Sequence, residues 1–308
     1  MTEPALWSSD LRKTYHSRGA PVVEALSGVS MEVHRGERVA LLGRNGAGKT
    51  TFLKIASTLL RPTSGQIQVF GTDVDQHPDR VRPYIAVVPQ EGKPFFHLTP
   101  REQVYTYLRA RGLGREISLA RTAEAIRRMG LEEVQDRLSI TLSGGQRQRT
   151  MVATVIATEA PLLFLDEPTI GMDPFARRSV WDSLRALSRK GSSILLTTHY
   201  LDEAEALSDR LYIVERGRVL LAGTADELKR SVGGTLKVLL PGAEDRADLF
   251  TSFGTVVRDG GHLTVILGPD RLNELMALAA REHLSPTVGP VSLEEAFLRA
   301  VGRSIDED

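Results

Sequence analysis

Gly43-Arg44-Asn45-Gly46-Ala47-Gly48-Lys49-Thr50 decides the reading of this chain. Two glycines separated by four residues are followed at once by Lys and Thr. The stretch follows an apolar run, Arg38–Leu42, and opens an apolar helix that the sequence extends to Leu59. Such a loop is a cradle for phosphate. Its glycines let the backbone wrap closely, its amides turn inward, and the helix N-terminus adds a favourable partial charge. Gly43, Asn45, Gly46, Ala47, Gly48, Lys49, Thr50 and Thr51 are therefore candidate nucleotide contacts. Lys49 should reach the β- and γ-phosphates, and Thr50 should ligate magnesium. A plain glycine turn before a helix is the simpler reading. It is a poor competitor once Gly, Lys and Thr stand in register between strand and helix.

A phosphate loop alone does not separate kinases, GTPases and ATPases. Further along, Leu162-Leu163-Phe164-Leu165-Asp166-Glu167 is an apolar strand ending in two carboxylates. In a parallel sheet the C-terminal ends of strands converge on the ligand crevice. Asp166 is then placed to hold magnesium and Glu167 to polarise the attacking water. Upstream, Leu142-Ser143-Gly144-Gly145-Gln146 opens a helix over Arg147–Ala157. A serine followed by two glycines at a helix start is a second anion cradle, with a hydroxyl donor and exposed amides. One nucleotide does not need two cradles. The simplest resolution is that the second serves the γ-phosphate held by another copy of the same fold, giving an ATP sandwich with two composite sites.

Around these motifs, short β-branched runs alternate with helical stretches from about Val39 to Leu220, the rhythm of a parallel α/β core. Arg38–Leu42, Ile85–Val88, Leu162–Asp166 and Ile194–Thr198 are nearly continuous apolar runs, as strands buried on both faces should be. Ala25–Val33 and Gln66–Phe70 read as members of an accessory antiparallel sheet. Leu211–Val214 and Arg218–Ala222 flank Glu215-Arg216-Gly217 as a hairpin. Between Glu91 and Thr141 the texture turns helical and rich in Arg and Glu, mostly a solvated face. A boundary falls near Ser231–Gly234, after a helix started by the capping-box pair Thr224 and Glu227. Beyond it come a strand Leu236–Leu240, a helix from about Ala243 and a hairpin Thr255–Leu267 turning at Asp259-Gly260-Gly261. A helix from Arg271 and a last helix from Ser292, with Glu295 at capping-box spacing, complete a small α+β unit. The final Asp306-Glu307-Asp308 reads as a frayed end.

The chain has 308 residues, with 39 Lys plus Arg against 39 Asp plus Glu, so no basic excess points to nucleic acid. It has no cysteine, which excludes disulfides and thiolate metal sites. Met1–Asp10 lacks the basic and apolar regions of a signal peptide, and no apolar run approaches the ~18 residues of a membrane span. The expectation is a cytoplasmic chain, at most peripheral on the inner face of the cell membrane.

Together the three motifs resemble the nucleotide-binding subunit of ATP-binding cassette (ABC) transporters over roughly Leu6 to Leu228. The resemblance implies a P-loop NTPase cassette with a parallel core sheet, an antiparallel β subdomain and a helical subdomain over about 91–158. The cassette then spans 1–230, with a small α+β C-terminal domain over 233–308. It implies ATP and Mg²⁺, with Thr50, Gln90 and Asp166 toward the metal. Gln90 resembles the Q-loop glutamine that senses magnesium and the permease, and His199 the switch histidine at the γ-phosphate. Ser143, Gly144, Gly145 and Gln146 resemble the signature, and Asp173 in Gly171-Met172-Asp173-Pro174 the D-loop aspartate that crosses to the other subunit. Tyr15 resembles the aromatic that stacks on adenine, placed before the first β-hairpin, with Tyr84 in that role or a core place for Tyr15 as alternatives. Glu167, His199 and Gln90 are the expected catalytic set.

One P-loop and one signature make half an engine, so the resemblance implies a homodimer driving a separate integral membrane permease. Two features point to export. Phe95-Phe96-His97-Leu98-Thr99-Pro100-Arg101-Glu102 resembles the permease-docking region, although core packing would serve each Phe as well. The tail Val291-Ser292-Leu293-Glu294-Glu295-Ala296-Phe297-Leu298, and Thr198-His199-Tyr200 followed by Asp202-Glu203-Ala204-Glu205, resemble daunorubicin-resistance-type and Nod-factor-type exporter ATPases. An importer cassette and a non-transporting, ATP-switched scaffold are the alternatives.

Overall fold

The computed structural model describes residues 3–16, 21–259 and 261–306. Gly260, in the expected turn, and Glu307 and Asp308, in the expected frayed end, lie outside them. The chain divides into two compact units, Met1–Val219 and Leu220–Asp308. The boundary expected at 230–233 lies further along the chain.

In the first unit β1 (Leu6–Tyr15) and β2 (Val23–Val33) form an antiparallel pair. β3 (Arg38–Leu42) runs into α1 (Lys49–Ala56), and β4 (Ser64–Val69), β5 (Thr72–Asp73) and α2 (Pro78–Val81) follow. β6 (Ile85–Val88) precedes three helices: α3 (Pro100–Ala110), α4 (Arg115–Arg128) and α5 (Gly144–Ile156). Next come β7 (Leu162–Asp166), α6 (Pro174–Arg189), β8 (Ser193–Thr198), α7 (Leu201–Leu207) and β9 (Arg210–Glu215), and β10 (Arg218–Gly223) runs across the boundary at Val219. The core sheet has the order β10-β9-β3-β8-β7-β6, and its pairs from β9 to β6 are all parallel. The accessory sheet, β2-β1-β4-β5, is antiparallel. The expected cassette architecture is present.

Burial explains why the core strands were conspicuous. Every residue of β7 and β8 is buried, as in a sheet covered on both faces. Phe52, Leu53 and Ile55 of α1 pack into one apolar cluster with Leu6, Leu26, Leu41, Phe164 and Leu195. α1 stops at Ala56 and does not run on to Leu59 as expected: Ser57 caps its C-terminus and Thr58 takes a left-handed φ of 65°. Tyr15 also needs correction. It is the last residue of β1, paired with Val23, and so lies within the first hairpin rather than before it.

In the second unit α8 (Ala225–Arg230) begins at the full capping box of Thr224 and Glu227. β11 (Leu236–Pro241), β12 (Thr255–Asp259), β13 (His262–Leu267) and β14 (Thr287–Pro290) make an antiparallel sheet in the order β12-β13-β11-β14. α9 (Leu272–Arg281) and α10 (Leu293–Asp306) complete it. Val238, Leu240, Phe250, Leu263, Val265 and Leu275 form its core. The helix expected from Ala243 is a short 3₁₀ segment, Glu244–Leu249, interrupted by non-helical angles at Arg246. Among the described residues no helix is long and apolar enough to cross a membrane.

Candidate nucleotide site

Three neighbouring parallel strands end at one edge of the core sheet. Leu42 pairs with Thr198, and Asp166 with Thr197. The segments that leave β3, β7 and β8 therefore start side by side, which is where a doubly wound sheet binds ligands.

After β3 the chain makes the phosphate loop. Gly46 and Gly48 have φ of 86° and 101°, values that L side chains rarely adopt. A Cβ on Gly43 would lie 2.3 Å from the Val214 carbonyl, and one on Gly48 would lie 2.4 Å from that of Ala25. Gly48 supplies no side-chain cap to α1, so the first amides of that helix remain available to an anion. Lys49 is buried, and its Nζ donates to the carbonyls of Gly43 at 2.7 Å and Arg44 at 3.0 Å. Burial pushes its pKa down, against the pull of Glu167, Asp166 and Glu215. A buried cation whose burial outweighs its local partners is the natural complement of a phosphate.

Beside the lysine, three oxygens converge. Thr50 Oγ1 lies 3.3 Å from Gln90 Oε1 and 3.2 Å from Asp166 Oδ1. A hydroxyl, an amide oxygen and a single carboxylate suit magnesium, which takes few protein ligands and shares the rest of its shell with water and phosphate. Burial pushes the Asp166 carboxyl up, and hydrogen bonds from the Thr197 and Thr50 hydroxyls only partly offset it. A cation beside it would relieve that burial. The donor set fits.

Glu167, also buried, lies in the left-handed region at φ 49°. Its N–H is held by Thr197 Oγ1 at 3.1 Å and the Thr197 carbonyl at 3.2 Å. Its Oε1 lies 3.2 Å from His199 Nδ1. The His199 ring packs against Tyr200 with centroids 4.1 Å apart, and the Arg177 guanidinium covers Tyr200 at 4.3 Å. Thr197 escaped the sequence reading although it bonds Asp166 Oδ1 at 2.5 Å as well as Glu167. Its only signal was a hydroxyl at the end of an otherwise apolar strand.

The signature has its own geometry. Ser143 caps α5 in a full capping box: its Oγ accepts from Gln146 N–H at 3.2 Å, and Gln146 Oε1 accepts from Ser143 N–H at 2.9 Å. Gln146 is thereby engaged in shaping the turn, and Ser143 and Gly144 stay exposed. A Cβ on Gly145 would lie 3.0 Å from the Gly171 carbonyl, and Gln148 Nε2 donates to the Pro168 carbonyl at 3.2 Å. Among the described residues no hydrogen bond joins Ser143, Gly144 or Gly145 to the phosphate loop of the same chain. Asp173 caps α6, accepting from the Phe175 and Ala176 amides at 2.9 Å each. Those bonds, that of Ala176 foremost, hold its carboxyl below the usual range. Tyr15, 37% exposed, reaches Thr51 Oγ1 at 3.4 Å through its hydroxyl.

A family model described as ABC transporter matches residues 26–170. The chain is 39% identical to the daunorubicin/doxorubicin resistance ATP-binding protein DrrA of Streptomyces peucetius, covering 99% of this chain and 96% of that one. It is 34% identical to Nod factor export ATP-binding protein I of Burkholderia orbicola, covering 92% and 93%. A solved ATP-binding subunit of an ABC transporter matches with a TM-score of 0.66 at 33% identity, over 74% of this chain and 92% of that one. A dimeric post-hydrolysis cassette bound to ADP and Pi matches with a TM-score of 0.66 at 26% identity, over 71% and 98%.

Proposed function

We infer the function from one premise: this chain belongs to the ATP-binding cassette family of ABC transporters and is an ATPase. We propose that two copies close around two ATP molecules and drive a separate membrane permease that exports its cargo. The observation that carries the reading is the convergence of Lys49, Thr50, Gln90, Asp166, Glu167 and His199 where β3, β7 and β8 end. The export-named relatives favour an exporter over an importer, and over a non-transporting scaffold. The 1–230 cassette and 233–308 accessory domain remain our proposed division.

Phosphoryl transfer asks mainly for positioning and charge stabilisation. Lys49 and the loop amides receive the β- and γ-phosphates, and Tyr15 offers its ring to adenine. Thr50, Gln90 and Asp166 would hold magnesium, which when bound neutralises phosphate charge. Glu167 orients a water and takes its proton, and His199, held against Glu167, steadies the transferred group. Exposed Ser143 and Gly144, with half-buried Gly145, meet the γ-phosphate held by the other copy, and the Asp173 turn lies against that copy. The lack of a bond from the signature to its own phosphate loop supports this trans arrangement. With no membrane-crossing helix among the described residues, the assembly sits on the inner face of the membrane through its permease.

The test is to trap Glu167→Gln protein with ATP, extract it from native membranes in mild detergent and identify what co-purifies. A multi-span membrane protein in stoichiometric amount is expected. A soluble homodimer with no membrane partner would move the assignment to the ATP-switched scaffold.

A further inference from the structure

The short helix α7 carries Asp202, Glu203 and Glu205, and of these only Glu203 is buried, at 1% exposure. A carboxylate taken out of water needs partners. Glu203 pairs with no Lys or Arg among the described residues and is instead satisfied by three neutral donors. Thr198 Oγ1 donates to Oε2 at 2.6 Å, while Thr169 Oγ1 at 2.7 Å and Trp181 Nε1 at 3.3 Å donate to Oε1.

The donors come from three different segments. Thr198 ends β8 and immediately precedes His199, and its hydroxyl also accepts from the Tyr200 N–H at 3.0 Å. The backbone on both sides of His199 is thus fixed through one hydroxyl. Thr169 lies two residues after Glu167, in the turn whose Pro168 carbonyl is held by Gln148 of α5. Trp181 stands on α6, the helix capped by Asp173. One buried side chain therefore ties the segment bearing Glu167 to the segment bearing His199. Both threonine hydroxyls and the indole N–H donate here, and a carboxylate, which only accepts, matches all three; a glutamine would set its NH₂ against one of these donors and force a hydroxyl to turn.

We propose that Glu203 is a positioning residue for ATP hydrolysis: by gripping Thr169 and Thr198 together, it sets the contact between the Glu167 carboxylate and the His199 imidazole. This rests on the roles given above to Glu167 and His199.

Steady-state ATPase assays on the full chain test it, with Glu203→Gln, Glu203→Leu and Thr198→Val compared well below the lowest unfolding midpoint. Glu203→Leu risks misfolding. Thr198→Val cuts the same link while leaving the carboxylate in place. The expected result for Glu203→Gln and Thr198→Val is a fall in kcat of up to about 10²-fold, the cost of displacing reacting groups by an ångström, with KM for ATP unchanged. Glu203→Leu, if folded, should lose at least as much. Wild-type kcat in both folded polar-link variants overturns the proposal. So does a loss that appears equally in KM, or that follows the drop in unfolding midpoint. Glu167→Gln and His199→Ala serve as controls. If they turn over normally, the reading of the site itself fails; if they are impaired while Glu203→Gln and Thr198→Val are not, only the role of Glu203 fails.

Discussion

Buried charge is handled in opposite ways at Glu295 of the second unit and at the nucleotide site of the first. In the second, Glu295 is buried but fully answered from within the chain: the Lys237 ammonium contacts its Oε1, and the Ser292 N–H and hydroxyl reach Oε2 at 2.7 and 2.5 Å. Burial works to raise its pKa, yet those bonds prevail and hold it below the ordinary value. In the first unit, burial wins over the local partners: Lys49 is pushed down and Asp166 up. A group whose charge the fold already answers is structural. A group whose charge the fold leaves under-compensated is waiting for a ligand, here a phosphate beside Lys49 and a cation beside Asp166.

The sharpest way to break this contrast is to change only the chemistry in the first unit. Glu167→Gln preserves shape and should keep ATP binding while lowering kcat by ~10²–10⁴-fold, the typical worth of a general base; phosphate release beside equilibrium nucleotide binding checks it. Next in size is Lys49→Met. Loss of a charge-assisted bond worth roughly 1.5–3 kcal/mol should weaken ATP binding about 10- to 150-fold, while the unfolding midpoint of the ligand-free protein stays level or rises. The matching change in the second unit should behave the other way. Lys237→Met leaves Glu295 short of its cation and should cost ~1–3 kcal/mol in denaturant unfolding, with nucleotide affinity unaltered. A destabilising Lys49→Met, or a neutral Lys237→Met, would erase the distinction.

The smallest effect is one of pH. Because Glu295 titrates below its unfolded value, its contribution is present above that value and is lost as acid takes the pH down through the folded one. Asp166 titrates above its unfolded value, so its contribution is full below that value and is lost as pH rises through the folded one. Unfolding free energies of Glu295→Gln and Asp166→Asn, followed from acid toward neutrality without nucleotide, should depart from wild type with opposite slopes.

How much of this was legible follows from what each feature depends on. The phosphate loop, the Asp166-Glu167 strand end and the signature are fixed by residue type at short spacing, and they emerged whole. β1 did not. Its pairing with β2 slips between Ser8 and Leu11 and again between Lys13 and Thr14, and Asp10 adopts φ 46°, so the alternation that betrays a strand is broken. Tyr15 was misplaced for the same reason. The end of α1 turned on one backbone angle at Thr58, and the segment after Ala243 on a kink at Arg246. Glu203 stood in the sequence only within Asp202-Glu203-Ala204-Glu205, where nothing local separates it from Asp202 and Glu205; only the tertiary fold buries one of the three.

The left-handed backbone at Glu167 carries a consequence for descent. That conformation costs a glutamate of order 1–3 kcal/mol, whereas Gly or Asn adopts it readily. A gene copy released from turning over ATP would gain folded lifetime by drifting to either residue. Selection for durability and selection for turnover thus oppose each other at 167, and lineages in which such a cassette survives only as a partner to an active copy should lose this glutamate early.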